Sequence, residues 1–143
     1  MQRIATAVWN GTLKEGKGAI STASGVLSNT PYSFTTRFEN GQGTNPEELI
    51  AAAHAGCFTM ALSAQLSTMN FAPDSIQTKA AVTLEKLEAG WTISRVHLDV
   101  AAKVPGISSS AFEAAAASAK ANCPVSRLLN AEITMTASLE PGA

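Results

Sequence analysis

The chain has 143 residues, of which 45% are hydrophobic and 15% charged, and its net charge is −1. A chain of this length buries about two-thirds of its unfolded surface, so we predict one globular domain over residues 1–143. The near-neutral charge and the lack of any Lys/Arg cluster in the sequence argue against a nucleic-acid-binding protein.

The first 38 residues alternate in hydrophobicity in places and are interrupted by glycines. This pattern predicts short strands of an antiparallel meander at residues 4–9, 17–22 and 31–38. Arg37 would then lie at the end of the third strand, just before a flexible loop that runs to Asn45.

A long helix is predicted after this loop. Asn45 is a good N-cap, Pro46 suits the first helical position, and Glu48 completes a capping-box-like pair. The residues from Leu49 to Met69 are apolar or small nearly all round, which predicts a helix buried on most faces. Its polar residues and its Ala-rich composition argue against a membrane span.

The next predicted elements form a hairpin. Residues 76–84 alternate, residues 88–90 turn the chain, and residues 91–104 return, with a shift of parity at residues 94–96 that suggests a bulge.

The C-terminal part predicts two helices and a last strand. Ser110 and Glu113 suggest a capping box for a helix over residues 111–121. Pro124 then suits the first position of a short helix, with Cys123 at its N-cap, and an alternating strand closes the chain. The whole order indicates an α+β fold.

The start of the sequence lacks the apolar stretch of a signal peptide, and the chain has two cysteines. In a reducing compartment two cysteines are more often reactive or incidental than a structural disulfide. We therefore predict a cytoplasmic protein.

Each cysteine allows a reactive and an inert interpretation. Cys57 lies about three turns into its helix, too deep for that helix dipole to stabilise a thiolate, and it could be a small core residue. Cys123, at a helix N-terminus, is the better candidate for an acidic thiol on these grounds. Two cysteines that meet in space would suit a nucleophile and its resolving partner.

His54 lies one turn before Cys57 on the predicted helix. The two could form an acid–base pair or half of a metal site, but no second His/Cys cluster in the sequence completes a zinc shell. We therefore predict no metal and interpret His54 as a hydrogen-bonded core histidine.

Glu47 could be a simple helix N-terminal acid, favoured by the dipole, or it could serve Cys57. Ten helical residues separate the two, which is about 15 Å along one helix. They cannot share a site within one unbroken helix, whereas two chains in a two-fold dimer could bring them together.

Several stretches of the sequence resemble the OsmC/Ohr family of peroxidases, and the OsmC branch in particular. They are GTNPEEL at 43–49, AAHAGCF at 52–58, NCPVS at 122–126, PYSFTTRFE at 31–39 and VPGI at 104–107. The resemblance spans nearly the whole chain. It implies an intertwined homodimer, with antiparallel β-sheets wrapped around long buried central helices, and two sites at the interface.

The resemblance also implies roles for individual residues. Cys57 resembles the peroxidatic thiol and Cys123 the resolving thiol, while Arg37 and Glu47 resemble the pair that holds and activates the peroxidatic sulfur. The implied reaction is the reduction of organic hydroperoxides, with hydrogen peroxide as a second candidate substrate. It needs no cofactor, and an external dithiol, typically a dihydrolipoyl group, would reduce the intrachain disulfide.

The same residues are compatible with other interpretations. The Ohr branch takes its cation from an early glycine-rich loop, and here Lys14 and Lys17 lie in that loop. A small-ligand-binding dimer with inert cysteines, or a redox-sensing dimer, could have the same fold.

Overall fold

The computed structural model describes residues 1–141. The chain folds into two compact units, Met1–Leu49 and a second unit that begins at Ile50. Each unit contains a three-stranded sheet and helical segments, which confirms the predicted α+β class. That the two units make one domain stays a prediction.

The first unit is a meander followed by a short helix. Strands β1 (Ala5–Asn10), β2 (Lys17–Thr22) and β3 (Thr30–Tyr32) pair antiparallel in chain order. The prediction of a strand through residue 38 is wrong, because helix α1 occupies Phe34–Phe38. Ser33 accepts from the backbone N–H of Thr36, whose side chain accepts from the backbone N–H of Ser33. This capping box ends the strand and starts the helix.

Helix α2 spans Pro46–Thr68, close to its predicted bounds. The N-cap prediction is confirmed, since Asn45 Oδ1 accepts from the backbone N–H of Glu48 at 2.8 Å. The Glu48 carboxylate accepts from the Thr44 hydroxyl at 2.8 Å instead of closing the capping box. By length and composition α2 could cross a membrane, a test that the core helix of a soluble protein also passes.

The prediction that α2 is buried on most faces is wrong for a single chain. One face, with Phe58, Leu62 and Leu66 at every fourth position, is fully buried in the core. The opposite face is apolar yet exposed, and Met60 keeps 76% of its surface accessible. The other exposed apolar or small residues on that face are Ala52, Ala53, Gly56 and Ala64.

The second sheet has the order β4-β5-β6. Strands β4 (Ser75–Leu87) and β5 (Gly90–Lys103) form the predicted hairpin, and the register shift leaves Ser94 as the extra residue of the bulge. Strand β6 (Glu132–Leu139) pairs parallel to β5, whereas the expected sheets were antiparallel. Parallel neighbours need a long crossover, which the two helices between β5 and β6 provide.

Those two helices meet at Cys123. Helix α3 spans Ser109–Asn122 and helix α4 spans Pro124–Leu128, so Cys123 is both the C-cap of α3 and the predicted N-cap of α4. The cap of α3 is Ser108, not Ser110, because the Ser108 hydroxyl accepts from the Ala111 N–H. The crossover packs on the core through buried α3 residues, namely Phe112, Ala115, Ala116 and Ala119.

Candidate functional site

Arg37 and Glu47 form an ion pair in the first unit. Arg37 Nε and Nη2 both donate to Glu47 Oε1, at 3.0 and 2.8 Å. Glu47 is buried, with 7% of its surface accessible, while the Arg37 side chain is 39% exposed. Glu47 therefore holds one edge of the guanidinium in a fixed direction and leaves the rest of it accessible.

The segment between Arg37 and Glu47 holds α1 close to the start of α2. Asn45 Nδ2 donates to the Thr36 carbonyl at 2.9 Å, which joins the start of α2 to α1. Gly43 has a positive φ of 132°, and a Cβ there would collide with the Pro31 carbonyl oxygen. The loop can therefore close tightly enough for α1 to present Arg37 to Glu47.

The second carboxylate oxygen of Glu47 is unused. Among the described residues, Glu47 Oε2 is buried and has no hydrogen-bond partner. A buried carboxylate oxygen without a hydrogen-bond donor carries a free-energy cost.

A cleft of about 330 Å³ adjoins Arg37 in the first unit. Apart from Arg37 and Ser33 its lining is apolar or aromatic: Trp9, Leu13, Tyr32, Phe34, Phe38 and Pro46. Lys14 and Lys17 line a different, more polar cleft of about 550 Å³, together with Gln42. Of the cations considered from the sequence, Arg37 is therefore the one that combines an acidic partner with an apolar cleft.

The second unit brings Cys57 and Cys123 together. Cys57 is half-buried on α2, and Cys123 is fully buried at the junction of α3 and α4. The two thiols lie within hydrogen-bonding reach of each other. A sulfenic acid on either would face the other thiol with little chain movement.

Burial raises the pKa of the Cys57 thiol above its usual value, and the hydrogen bond with Cys123 raises that pKa further. The backbone N–H of Val125 donates to Cys57 and acts in the opposite direction, toward a lower pKa. The balance is a raised pKa, so the described surroundings of Cys57 keep it a thiol at neutral pH.

Val125 was missed by the sequence reasoning. It occupies the second position of α4, directly after Pro124, where a helix leaves its N–H without an intrahelical acceptor. The α4 terminus was expected to serve Cys123, which makes no side-chain capping bond there. Pro124 at the first helical position predicts a free N–H at Val125. The acceptor of that N–H, Cys57, lies 68 residues upstream and cannot be identified from the local sequence.

His54 is a hydrogen-bonded core histidine, as predicted. It is fully buried, and its Nε2 lies 2.7 Å from Ser126 Oγ. Its Nδ1 is buried without a partner among the described residues. Within residues 1–141 no three or more His, Cys, Asp or Glu side chains are grouped closely enough to hold a metal ion.

We expect His54 to make the free energy of unfolding depend on pH. Burial lowers its pKa from 6.5, so the unfolded chain takes up the proton first as the pH falls. The contribution of neutral His54 to the free energy of unfolding should be fully present above pH 6.5. It should decline as the pH drops toward the folded-state pKa of His54. His54→Gln should flatten this part of a urea-unfolding profile, with His97→Gln as the matched control. An unchanged slope in His54→Gln would contradict this expectation.

Most of the chain is similar in sequence to known proteins. The family model described as OsmC-like protein matches residues 39–138. The chain is 54% identical over 129 residues to the protein named Peroxiredoxin OsmC from Escherichia coli (strain K12), covering 90% of each. It is 31% identical over 100 residues to the Organic hydroperoxide resistance protein from Xanthomonas axonopodis pv. citri (strain 306), covering 69% of this chain and 68% of that protein.

Among solved structures, the chain is similar to an organic hydroperoxide resistance protein OsmC from Legionella pneumophila. The TM-score is 0.70 at 23% identity, and the match covers 99% of this chain and 98% of that chain. At this identity the likeness concerns the fold alone.

Proposed function

The chain belongs to the OsmC family, and from this premise we propose that Cys57 attacks hydroperoxides and that Cys123 resolves the product. The chain is a thiol-dependent peroxidase, as its relatives' names, peroxiredoxin and organic hydroperoxide resistance protein, indicate. The observation that carries the assignment of residues is the contact between the two thiols, with the more accessible one on α2.

The cycle has three balanced steps. The Cys57 thiolate attacks the distal oxygen of ROOH, the O–O bond breaks, and ROH leaves while sulfur becomes the sulfenic acid. The Cys123 thiol then displaces the hydroxyl group, so that an S–S bond forms and water leaves. An external dithiol reduces this disulfide by exchange, and a dihydrolipoyl group is our proposed reductant. Both electrons come from sulfur, so no cofactor takes part.

Cys57 needs a positive charge to act as a thiolate, because its own surroundings raise its pKa. We assign this charge to Arg37, held by Glu47. Helix α2 is unbroken from Pro46 to Thr68, so Glu47 and Cys57 stay about 15 Å apart along it. The Arg37–Glu47 pair of the partner subunit would therefore complete the site.

A homodimer is supported by the exposed apolar face of α2. Monomeric proteins rarely leave a long apolar helix face open to water. Gly56 and the alanines around it have little side-chain volume, so a second α2 could approach closely. A two-fold arrangement would cover this face and build two identical sites, one from each pairing of subunits.

The apolar cleft beside Arg37 supports organic hydroperoxides as the preferred substrates. An alkyl or aryl group would bury apolar surface against its aromatic lining, and hydrogen peroxide has no such group. We further propose that the protein acts in the cytoplasm, where free thiols and dithiol reductants persist.

One alternative has a specific observation in its favour. The raised pKa of Cys57 fits a small-ligand-binding dimer whose cysteines are inert. The reaction rate separates the two functions, since an inert cysteine would react no faster than a free thiol.

The test is stopped-flow oxidation of the fully reduced protein by cumene hydroperoxide and by hydrogen peroxide, with intact mass recorded at each stage. We expect a rapid reaction that ends in the loss of two hydrogens within one chain and is faster with cumene hydroperoxide. Oxidation at the rate of a free thiol, or a disulfide between chains, would reject the proposal.

Cys123→Ser separates the first step from the second. We expect this variant to take up one oxygen at Cys57 at nearly the wild-type rate, because the attacking thiol is intact. Without a resolving thiol, it should recycle slowly and accumulate sulfinic acid when peroxide is in excess. The mass change at Cys57 measures both effects, and a wild-type turnover rate would contradict the role of Cys123.

A further inference from the structure

Helix α4 buries little apolar surface against the core. It is five residues long, none of its residues is fully buried, and Leu128 is 78% exposed. Val125 and the following Leu129 pack on the core only in part. Yet this helix carries the N–H that reaches Cys57, and it begins directly after Cys123.

The His54–Ser126 hydrogen bond joins α4 to α2. It is 2.7 Å long, and it joins the two helices together with the hydrogen bond from the Val125 N–H to Cys57. His54 lies one turn before Cys57 on α2, and Ser126 follows Val125 on α4. The bond therefore spans the same gap between helices as the two thiols.

Because His54 is buried, it depends on Ser126 for its hydrogen bond. His54 is fully buried, and its other ring nitrogen has no partner among the described residues. A buried imidazole that lost Ser126 would have both nitrogens unpaired, which costs more than the bond itself contributes. The position of Ser126, and with it the start of α4, is thereby restricted.

We propose that His54 and Ser126 are positioning residues for closure of the Cys57–Cys123 disulfide. They hold the start of α4 so that the Val125 N–H reaches the Cys57 sulfur and Cys123 lies beside it. This inference rests on the proposed function, because disulfide closure is the second step of that cycle. In that step the S–O bond of the Cys57 sulfenic acid breaks, the S–S bond forms, and the Cys123 proton leaves with the hydroxyl group as water.

Closure can be measured without peroxide. The reagent 4,4′-dithiodipyridine converts the accessible Cys57 to a mixed disulfide and releases one thiopyridone; attack by Cys123 then releases a second. The rate of the second release reports closure alone. A protein that closes in this way but does not react with hydroperoxides would reject the proposed function and leave the inference standing.

We expect Ser126→Ala to slow the second release by about fivefold to tenfold and to change the first by less. Ser126→Thr keeps a hydroxyl and should restore closure to within about twofold. Thr78→Val is the matched control, because it removes the Thr59–Thr78 hydrogen bond between α2 and β4 without touching α4.

The pH profile of Cys57 alkylation by iodoacetamide gives a second readout. Displacement of the Val125 N–H in Ser126→Ala should move this profile to higher pH, which a general loss of stability would not do. In a second pair of variants, His54→Gln places its amide near the Nε2 position and should close faster than His54→Asn. The inference is overturned if Ser126→Ala closes at the wild-type rate, or if Thr78→Val slows closure equally.

Discussion

Replacing Cys57 by serine is expected to lower peroxide consumption by at least about a thousandfold. Serine keeps the size of the side chain and removes the nucleophile, since a hydroxyl group at neutral pH is not ionised and cannot be oxidised by peroxide. The measurement is peroxide loss in the presence of an excess of dithiol. Turnover within about tenfold of the wild-type rate would reject Cys57 as the attacking thiol.

The matched control for this change lies in the same pair of residues. Cys123→Ser removes one sulfur from the same contact and retains the first oxidation. A loss of activity caused by misfolding would affect both variants alike. The mechanism instead predicts that Cys123→Ser still reacts with peroxide in the first step and that Cys57→Ser does not. Circular dichroism and a urea midpoint for each variant confirm that folded proteins are compared.

Mixing two inactive variants is expected to restore activity. Glu47→Ala leaves Arg37 without its buried carboxylate partner, and Cys57→Ser lacks the nucleophile. If each site combines Cys57 of one chain with Glu47 of the other, a heterodimer has one intact site and one site with both defects. Random exchange makes about half of the dimers heterodimers, each with one working site of two, so about a quarter of wild-type activity should return.

Subunit exchange must be verified for this experiment, for example by native mass spectrometry of the mixed sample. Mixing Glu47→Ala with Glu47→Ala/Cys57→Ser is the matched control, because its heterodimers have no intact site under this arrangement. Absence of recovery after complete exchange would place the working site within a single chain.

Much of the local structure was predictable because it depends on residues close in sequence. Asn45 and Pro46 set the start of α2 through capping and a fixed φ, and Pro124 set the start of α4 in the same way. The bulge at Ser94 was visible as a change in apolar parity, since side chains alternate along a strand. The family resemblance named both cysteines.

The wrong prediction of a strand over residues 31–38 has a local cause, which the alternation of apolar and polar residues does not reveal. Tyr32, Phe34 and Phe38 fit a strand or a helix in so short a segment, and the Ser33–Thr36 capping box decides for the helix. This changes how Arg37 is held. Arg37 was expected at the end of a strand, whereas it lies on α1 and faces the carboxylate of Glu47.

By itself, then, the sequence determined the α+β class, most element boundaries, the two cysteines and the buried character of His54. The tertiary structure alone decided which groups meet: Cys57 with Cys123 and the Val125 N–H, His54 with Ser126, and β6 parallel to β5. Capping and periodicity act over a few residues and can be read along the chain. The contacts at the cysteines join residues 66 to 72 positions apart, so they exist only once the crossover helices have packed against α2.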